Sequence, residues 1–209
     1  TVAPLSDLWD FKSEDASVPD SDDIAEALSK VGADQLSLSG NTLTFASDDV
    51  MIDLGALVKG FAADQMKIYL TENGVTSGLL NLGGNVLTIG SRPDGSDWSI
   101  GIQKPFDDND PIIDVVKVKD QTVVSSGIYE RYFKQDGVIY HHILDPDTGY
   151  PIQNDLWGVS IICDSSLTGD ALSTTCMTLG YEKANDLIQS LDQTEAEFIL
   201  DDCKLKKTF

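Results

Sequence analysis

Residues that usually build catalytic and metal centres are scarce in this chain of 209 residues, which has only two histidines and three cysteines. Cys163, Cys176 and Cys203 are odd in number and lack CxxC spacing, which excludes a disulfide framework and a tetrahedral zinc site. Any metal would have to be a hard, oxygen-bound ion. Positive charge is scarce as well: 14 Lys and Arg against 35 Asp and Glu leave a formal net charge of −21. Such a surface repels phosphate backbones and anionic lipid, so nucleic acid and bare membrane are poor partners. A polyphosphate ligand would need a local device against repulsion: a divalent cation, backbone amides or a lone lysine. No apolar run approaches the ~18 residues of a membrane span. There is no P-loop, no GxGxxG and no repeat of solenoid period. The opening Thr1-Val2-Ala3-Pro4-Leu5 carries no initiating methionine, signal peptide or lipidation motif and reads like the middle of a protein, so an N-terminal portion is expected to be missing.

What remains is ordinary globular material, with 41% hydrophobic and 23% charged residues. Residues 1–21 read as turn-rich and acidic. Ile24, Ala25, Leu28 and Val31 predict a short helix stopped by Gly32. Strands are expected at 36–38 and 42–45, joined by a Gly40-Asn41 turn, and again at 50–54. A helix follows, with Val58, Ala62, Met66, Tyr69 and Leu70 as its buried stripe and Asn73-Gly74 as its end. Strands at 79–82 and 86–89 flank Gly83-Gly84. Further strands are expected at 98–102, 113–118, 122–125, 129–133, 138–143 and 157–163. Helices at 168–179 and 183–191 and a strand at 198–200 complete the chain. Sheets interrupted by helices, without βαβ alternation, predict an α+β fold of antiparallel sheets with interspersed helices.

Five segments carry groups able to do chemistry. The run Tyr140-His141-His142-Ile143-Leu144-Asp145-Pro146-Asp147-Thr148-Gly149-Tyr150-Pro151 puts both histidines at a strand end above a rigid turn. On a regular strand His142 shares a face with Tyr140 and His141 points the other way. Taken alone, the run reads either as a catalytic imidazole beside Asp145 or as a histidine bonded to a turn. Asp170 and Thr174 are four apart, on one helical face opposite Leu172, Cys176 and Leu179. They could supply two oxygens to Mg²⁺, or Asp170 could favour the helix dipole while Thr168 caps and Thr174 bonds back to the backbone. Asp53-Leu54-Gly55-Ala56-Leu57-Val58-Lys59-Gly60-Phe61-Ala62-Ala63-Asp64 reads as a strand–turn–helix that aims amides and a lysine at an anion, or as a plain connection. Asn81-Leu82-Gly83-Gly84-Asn85 is a hairpin turn or a place where a flat ligand approaches the backbone. In Ser125-Ser126-Gly127-Ile128-Tyr129-Glu130-Arg131-Tyr132, Ser126 is a candidate ligand contact.

In order and spacing these segments, together with Val2-Ala3-Pro4-Leu5…Leu8-Trp9, resemble the ApbE family of FAD:protein FMN transferases. Two positions differ from the common pattern: Asn85 stands where aspartate is common, and Ala56 where a second glycine is common. The resemblance implies an ApbE-like (T-fold-like) flavin transferase domain over residues 1–209 that lacks its N-terminal part. It implies FAD as substrate and Mg²⁺ as cofactor, with FMN transferred to a Ser or Thr hydroxyl of an acceptor protein and AMP released. The acceptor would be of the kind of an FMN-binding domain in a membrane redox complex. By the same resemblance Asp170, Thr174 and a carbonyl near Ala56 hold the metal. Lys59, Gly60, Gly83, Gly84, Asn85, Ser126 and His142 line the flavin nucleotide, and His142 with Asp145 serves the proton transfer. The longer form would be an extracytoplasmic, membrane-anchored lipoprotein. Two other functions keep the same pocket: an FAD pyrophosphatase that gives FMN and AMP to water, and a non-catalytic flavin-binding protein.

Overall fold

The computed structural model describes residues 1–13, 15–107 and 109–209, and its backbone divides into two units. In chain order the elements begin with α1 (Ala3–Trp9), α2 (Ser21–Leu28), β1 (Leu36–Ser39), β2 (Thr42–Phe45), α3 (Val58–Glu72), β3 (Gly78–Asn81) and β4 (Asn85–Ile89). They continue with β5 (Trp98–Gln103), β6 (Ile112–Val118), β7 (Thr122–Gly127), β8 (Tyr132–Gln135) and β9 (Val138–His141). The last are β10 (Leu156–Cys163), α4 (Ser166–Leu179), α5 (Tyr181–Gln189), β11 (Glu195–Leu200) and β12 (Leu205–Lys207). Every strand pair is antiparallel, in agreement with the α+β expectation.

One unit comprises Thr1–Leu54 and Glu130–Gln153. Helix α1 forms where turns were expected, because Pro4 suits a first helical turn and Leu5 and Trp9, four apart, bury one face. Trp9 is the hub of the unit: it stacks on Phe11 and Tyr140 and meets Tyr150 edge-on, with ring centroids 5.6–5.7 Å away. Its Nε1–H donates to the Gly149 carbonyl at 2.9 Å. The Gly40 hairpin between β1 and β2 is as expected. Residues 50–54 are not a strand: among the described residues no ladder includes them, and of the five only Val50 is buried. Residues 129–131 form a turn rather than the start of a strand, since β7 runs on to Gly127 and β8 begins at Tyr132 to pair with His141.

The other unit comprises Gly55–Tyr129 and Asn154–Phe209. Its six-stranded sheet has the order β12-β11-β10-β7-β4-β3. The β5–β6 hairpin covers one face through Ile100, Ile102, Val116 and Val118 packed on Val123, Ile162 and Ile199. On that face Lys207, Glu197, Ser160 and Ser125 form one cross-strand row, with Ser125 and Ser160 hydroxyls 2.7 Å apart and Lys207 Nζ 2.7 Å from Glu197. Lys207 also pairs with Asp114 of β6. Helices α3 and α4 lie on the other face.

The expected stripe on α3 is corrected. Val58, Met66 and Tyr69 are exposed, and the buried residues are Gly60 and Ala63, with Leu70 packed beside Ala63 against Leu87 and Ile89 of β4. Close approach of helices decides the face here. A Cβ at Gly60 would lie 2.2 Å from the Ser166 carbonyl oxygen, so small residues mark the contact and large ones are left outside. Helix α4 follows the same rule. It starts at Ser166 rather than 168, its N-cap is Ser165 rather than Thr168, and it buries Gly169, Asp170, Ser173, Cys176 and Met177 while Leu179 stays exposed.

Candidate functional site

The start of α3 has no side-chain cap of its own at Leu57. Its third residue, Gly60, instead donates its N–H to Asp170 Oδ2 of α4 at 2.5 Å. The start of α4 is completed the opposite way. Asp64 of α3 accepts from Ser166 N–H through Oδ1 at 2.8 Å, and from Leu167 N–H and the Ser165 hydroxyl through Oδ2 at 3.0 Å each. Each helix thus provides a carboxylate for the open amides at the beginning of its neighbour, which satisfies donors and places negative charge at both positive dipole ends. Asp170 is 4% exposed, so a carboxylate is held deep in the structure with one oxygen fixed in direction.

Further expected residues are tied to this pair of helices. Lys59 extends from α3 and donates to the Gly83 carbonyl at 3.0 Å, which brings the lysine turn and the double-glycine turn together. Gly83 and Gly84 both have positive φ, at 65° and 82°, a conformation that a side chain would strain. Ser126 of β7 shares a 2.8 Å hydrogen bond with Ser173, whose hydroxyl also donates to the Asp170 carbonyl at 3.0 Å. Asn85 is wholly buried: its Oδ1 accepts from the Ser166 hydroxyl at 2.7 Å, and among the described residues its Nδ2 has no hydrogen-bond partner.

Thr174 sits one turn beyond Asp170 and is half-buried. The back-bond to the helix belongs to Thr175, which donates to the Ala171 carbonyl at 2.8 Å; no hydrogen bond of the Thr174 hydroxyl is found among the described residues. Ala56 lies in the exposed turn that leads into α3. Carboxylate, hydroxyl and carbonyl are hard oxygen donors, and a buried carboxylate beside an unpaired hydroxyl fits Mg²⁺, which takes few protein ligands and keeps waters. Among the described residues no group of three or more His, Cys, Asp or Glu could hold a metal, so a multi-carboxylate or thiolate centre does not fit.

His142, His141 and Asp145 belong to the unit of Thr1–Leu54 and Glu130–Gln153. Strand β9 ends at His141, so the alternation expected to put His142 on the Tyr140 face stops one residue short. His141 is structural. Its Nδ1 accepts from Ile143 N–H at 3.4 Å and its Nε2 donates to the Ile152 carbonyl at 3.0 Å; burial holds its pKa down to about 4. Half-buried His142 points Nδ1 at the Arg131 carbonyl, 3.3 Å away. A carbonyl can only accept, so the fitting tautomer carries its proton on Nδ1 and its basic lone pair on Nε2. Asp145 is committed to the turn: Oδ1 accepts from Asp147 N–H, its own N–H donates to Tyr150, and its carbonyl accepts from Gly149, each at 2.8 Å. Gly149 has φ 76°, and a Cβ there would come 2.7 Å from Ile24. Much of this motif therefore seats a turn against α1 and α2.

Sequence reasoning missed Asp64, Ser165, Ser166 and Ser173. Asp64 closes one of the quoted segments, four residues after Gly60, and that i, i+4 spacing was the available signal.

The ApbE family model matches residues 1–198. An FAD:protein FMN transferase of Klebsiella pneumoniae (strain 342) is 39% identical over 95% of this chain and 61% of its own length. The chain spans about three fifths of the length of the curated relatives it matches. Among solved structures, the ApbE protein of Thermotoga maritima superposes with a TM-score of 0.86 at 33% identity, covering 99% of this chain and 68% of that one. The flavin transferase ApbE of Vibrio cholerae gives 0.86 at 31%, covering 99% and 66%. With its five motif segments in order, its antiparallel architecture and these likenesses, the chain belongs to the ApbE family.

Proposed function

We propose that this protein transfers FMN from FAD to a Ser or Thr hydroxyl of an acceptor protein, with Mg²⁺ as cofactor and AMP as the leaving product. The observation that carries the reading is the hydrogen-bonded set Lys59–Gly83, Gly60–Asp170 and Ser126–Ser173, which gathers a cation, serine hydroxyls and a buried carboxylate in one unit. On a chain of net charge −21, such a set is what a pyrophosphate requires.

Asp170, Thr174 and the Ala56 carbonyl would hold Mg²⁺, which when bound offsets charge on the phosphate oxygens. Lys59 and the Gly83-Gly84 backbone would orient the pyrophosphate. Ser126 lies on the strand beside them and would contact the nucleotide. Asn85, wholly buried, would act by holding Ser166 and aiming its amide rather than by broad ligand contact. The acceptor oxygen forms a bond to the FMN phosphorus as the bond to the AMP oxygen breaks. The hydroxyl proton would pass to Nε2 of His142, with Asp145 fixing the turn that follows.

Incubation with FAD, Mg²⁺ and a candidate acceptor domain, read by the mass of the acceptor, tests the proposal. An acceptor heavier by one FMN, lost when EDTA is present, is the expected result. Release of FMN and AMP with no gain in mass would make water the acceptor, and retention of intact FAD would leave a flavin-binding protein.

A further inference from the structure

The reciprocal caps place a carboxylate outside the proposed chemistry in control of one inside it. Among the described residues Asp64 has no hydrogen bond to the lysine turn or the double-glycine turn; its oxygens are spent on Ser165, Ser166 and Leu167. Those residues are the first turn of α4, and Asp170 is on the next turn of the same helix. Asp170 in turn reaches back to Gly60, one turn before Asp64 on α3. The two bonds bracket the point where the helices come closest, at Gly60 against the Ser166 carbonyl, where there is no room for even a methyl group. Position along both helix axes and rotation of α4 are thereby fixed together.

We propose that Asp64 is a positioning residue for the cation site: it sets the start of α4 so that Asp170 presents its remaining oxygen and Thr174 its hydroxyl in one fixed geometry. The inference rests on the Mg²⁺ reading given above. Asn85 supports the same turn from the sheet, through the Ser166 hydroxyl, so α4 is held from two directions and Asp64 provides the part that faces α3. Asparagine at 64 keeps the size but replaces one of the two acceptor oxygens with a donor that faces backbone N–H groups, so one side of the grip becomes repulsive.

Removal of such an outer partner of a metal ligand typically weakens metal binding 10–100-fold. The test compares Asp64→Asn with Asp155→Asn, which removes a carboxylate from the start of α5, where Asp155 accepts from Tyr181 N–H at 2.9 Å. Two quantities are measured: the amide proton shift of Gly60 by NMR without ligand, and Mg²⁺ affinity by calorimetry with FAD present. Asp64→Asn is expected to move the Gly60 resonance and to weaken Mg²⁺ at least tenfold, whereas Asp155→Asn lowers thermal stability and changes neither. Asp64→Glu, which retains both acceptors, is expected to restore part of the affinity. An unmoved Gly60 resonance in Asp64→Asn, or unchanged Mg²⁺ affinity beside a lower melting temperature, overturns the proposal. Wild-type protein that binds no Mg²⁺ with FAD defeats the cation reading instead, and the Gly60 shift then decides the coupling of the two helices on its own.

Discussion

The two units hold themselves together by different means. In the unit built on the six-stranded sheet, polar groups from distant parts of the chain complete one another: Asp64 with Ser166, Gly60 with Asp170, Ser126 with Ser173. In the unit built on α1, α2 and two hairpins, an aromatic hub at Trp9 does the corresponding work, and the polar residues of the 140–151 run mostly serve the turn in which they stand. A family motif is therefore not a roll of ligand contacts. In one unit the motif residues bond to each other across the fold; in the other His141 is spent on Ile143 and Ile152, whereas His142 turns its Nδ1 to the Arg131 carbonyl.

The largest effect is expected where that last distinction is strongest. His142→Ala should slow FMN transfer by ~10²–10⁴-fold with FAD affinity near wild type, the usual range for a lost general base. His141→Ala should instead lower the melting temperature, because its ring joins Ile143 to Ile152. Equal rate losses in both variants, measured by acceptor mass against time, would erase the difference between the histidines. Next comes Trp9→Ala, expected to cost about 3–4 kcal/mol from a large buried ring. Hydrogen exchange should show the loss confined to α1, α2 and β9, with β7 and β10 still protected; uniform loss would mean that the aromatic hub stabilises both units.

Gly60→Ala is the matching test on the sheet-built unit. The new methyl would meet a backbone carbonyl that cannot rotate away, so about 2–3 kcal/mol is expected, by the cost of overpacking. Denaturant melts followed at Trp98 or Trp157 would report it, and a neutral outcome would show that the α3–α4 contact is loose.

The smallest effect concerns pH. Burial pushes the Glu197 carboxyl up to about 7 from 4.5, although Lys207 pulls the other way. A raised carboxyl means that the folded state holds a proton the unfolded chain has lost above pH 4.5, so its stability declines as pH rises from 4.5 through 7. Glu197→Gln should flatten that decline by about 2 kcal/mol, judged from melting temperatures at pH 5 and 8. A steeper decline in the variant would mean that the charged Glu197–Lys207 pair is a net stabiliser.

The sequence reading anticipated the α+β class and the hairpins at Gly40 and Gly83-Gly84. These are set by local turn chemistry. It failed on the buried faces of α3 and α4, because large apolar residues were taken to mark the core. Where the helices press closely on each other, at Gly60, and on the sheet, at Ala63, Gly169 and Ser173, small residues mark it instead, and their spacing carries no hydrophobic signal. Residues 50–54 read as a strand for the mirror reason: apolar residues close together that, among the described residues, pair with no strand. Helix α1 was missed because a single turn of apolar residues, Leu5 and Trp9, is too short for periodicity to declare itself.

The caps on α3 and α4 are separated by 101–110 residues of chain. Short helices gain little stability from their own sequence, and α3 carries a glycine in its first turn. Until residues 165–170 have left the ribosome, the amide of Gly60 has no carboxylate to receive it, and the sheet that supports α3 lacks β10. Synthesis as far as β7 therefore yields no durable α3. Both helices and the sheet must settle in one long-range step, slow by the measure of its contacts and completed only after α4 and the strands that follow it have been made.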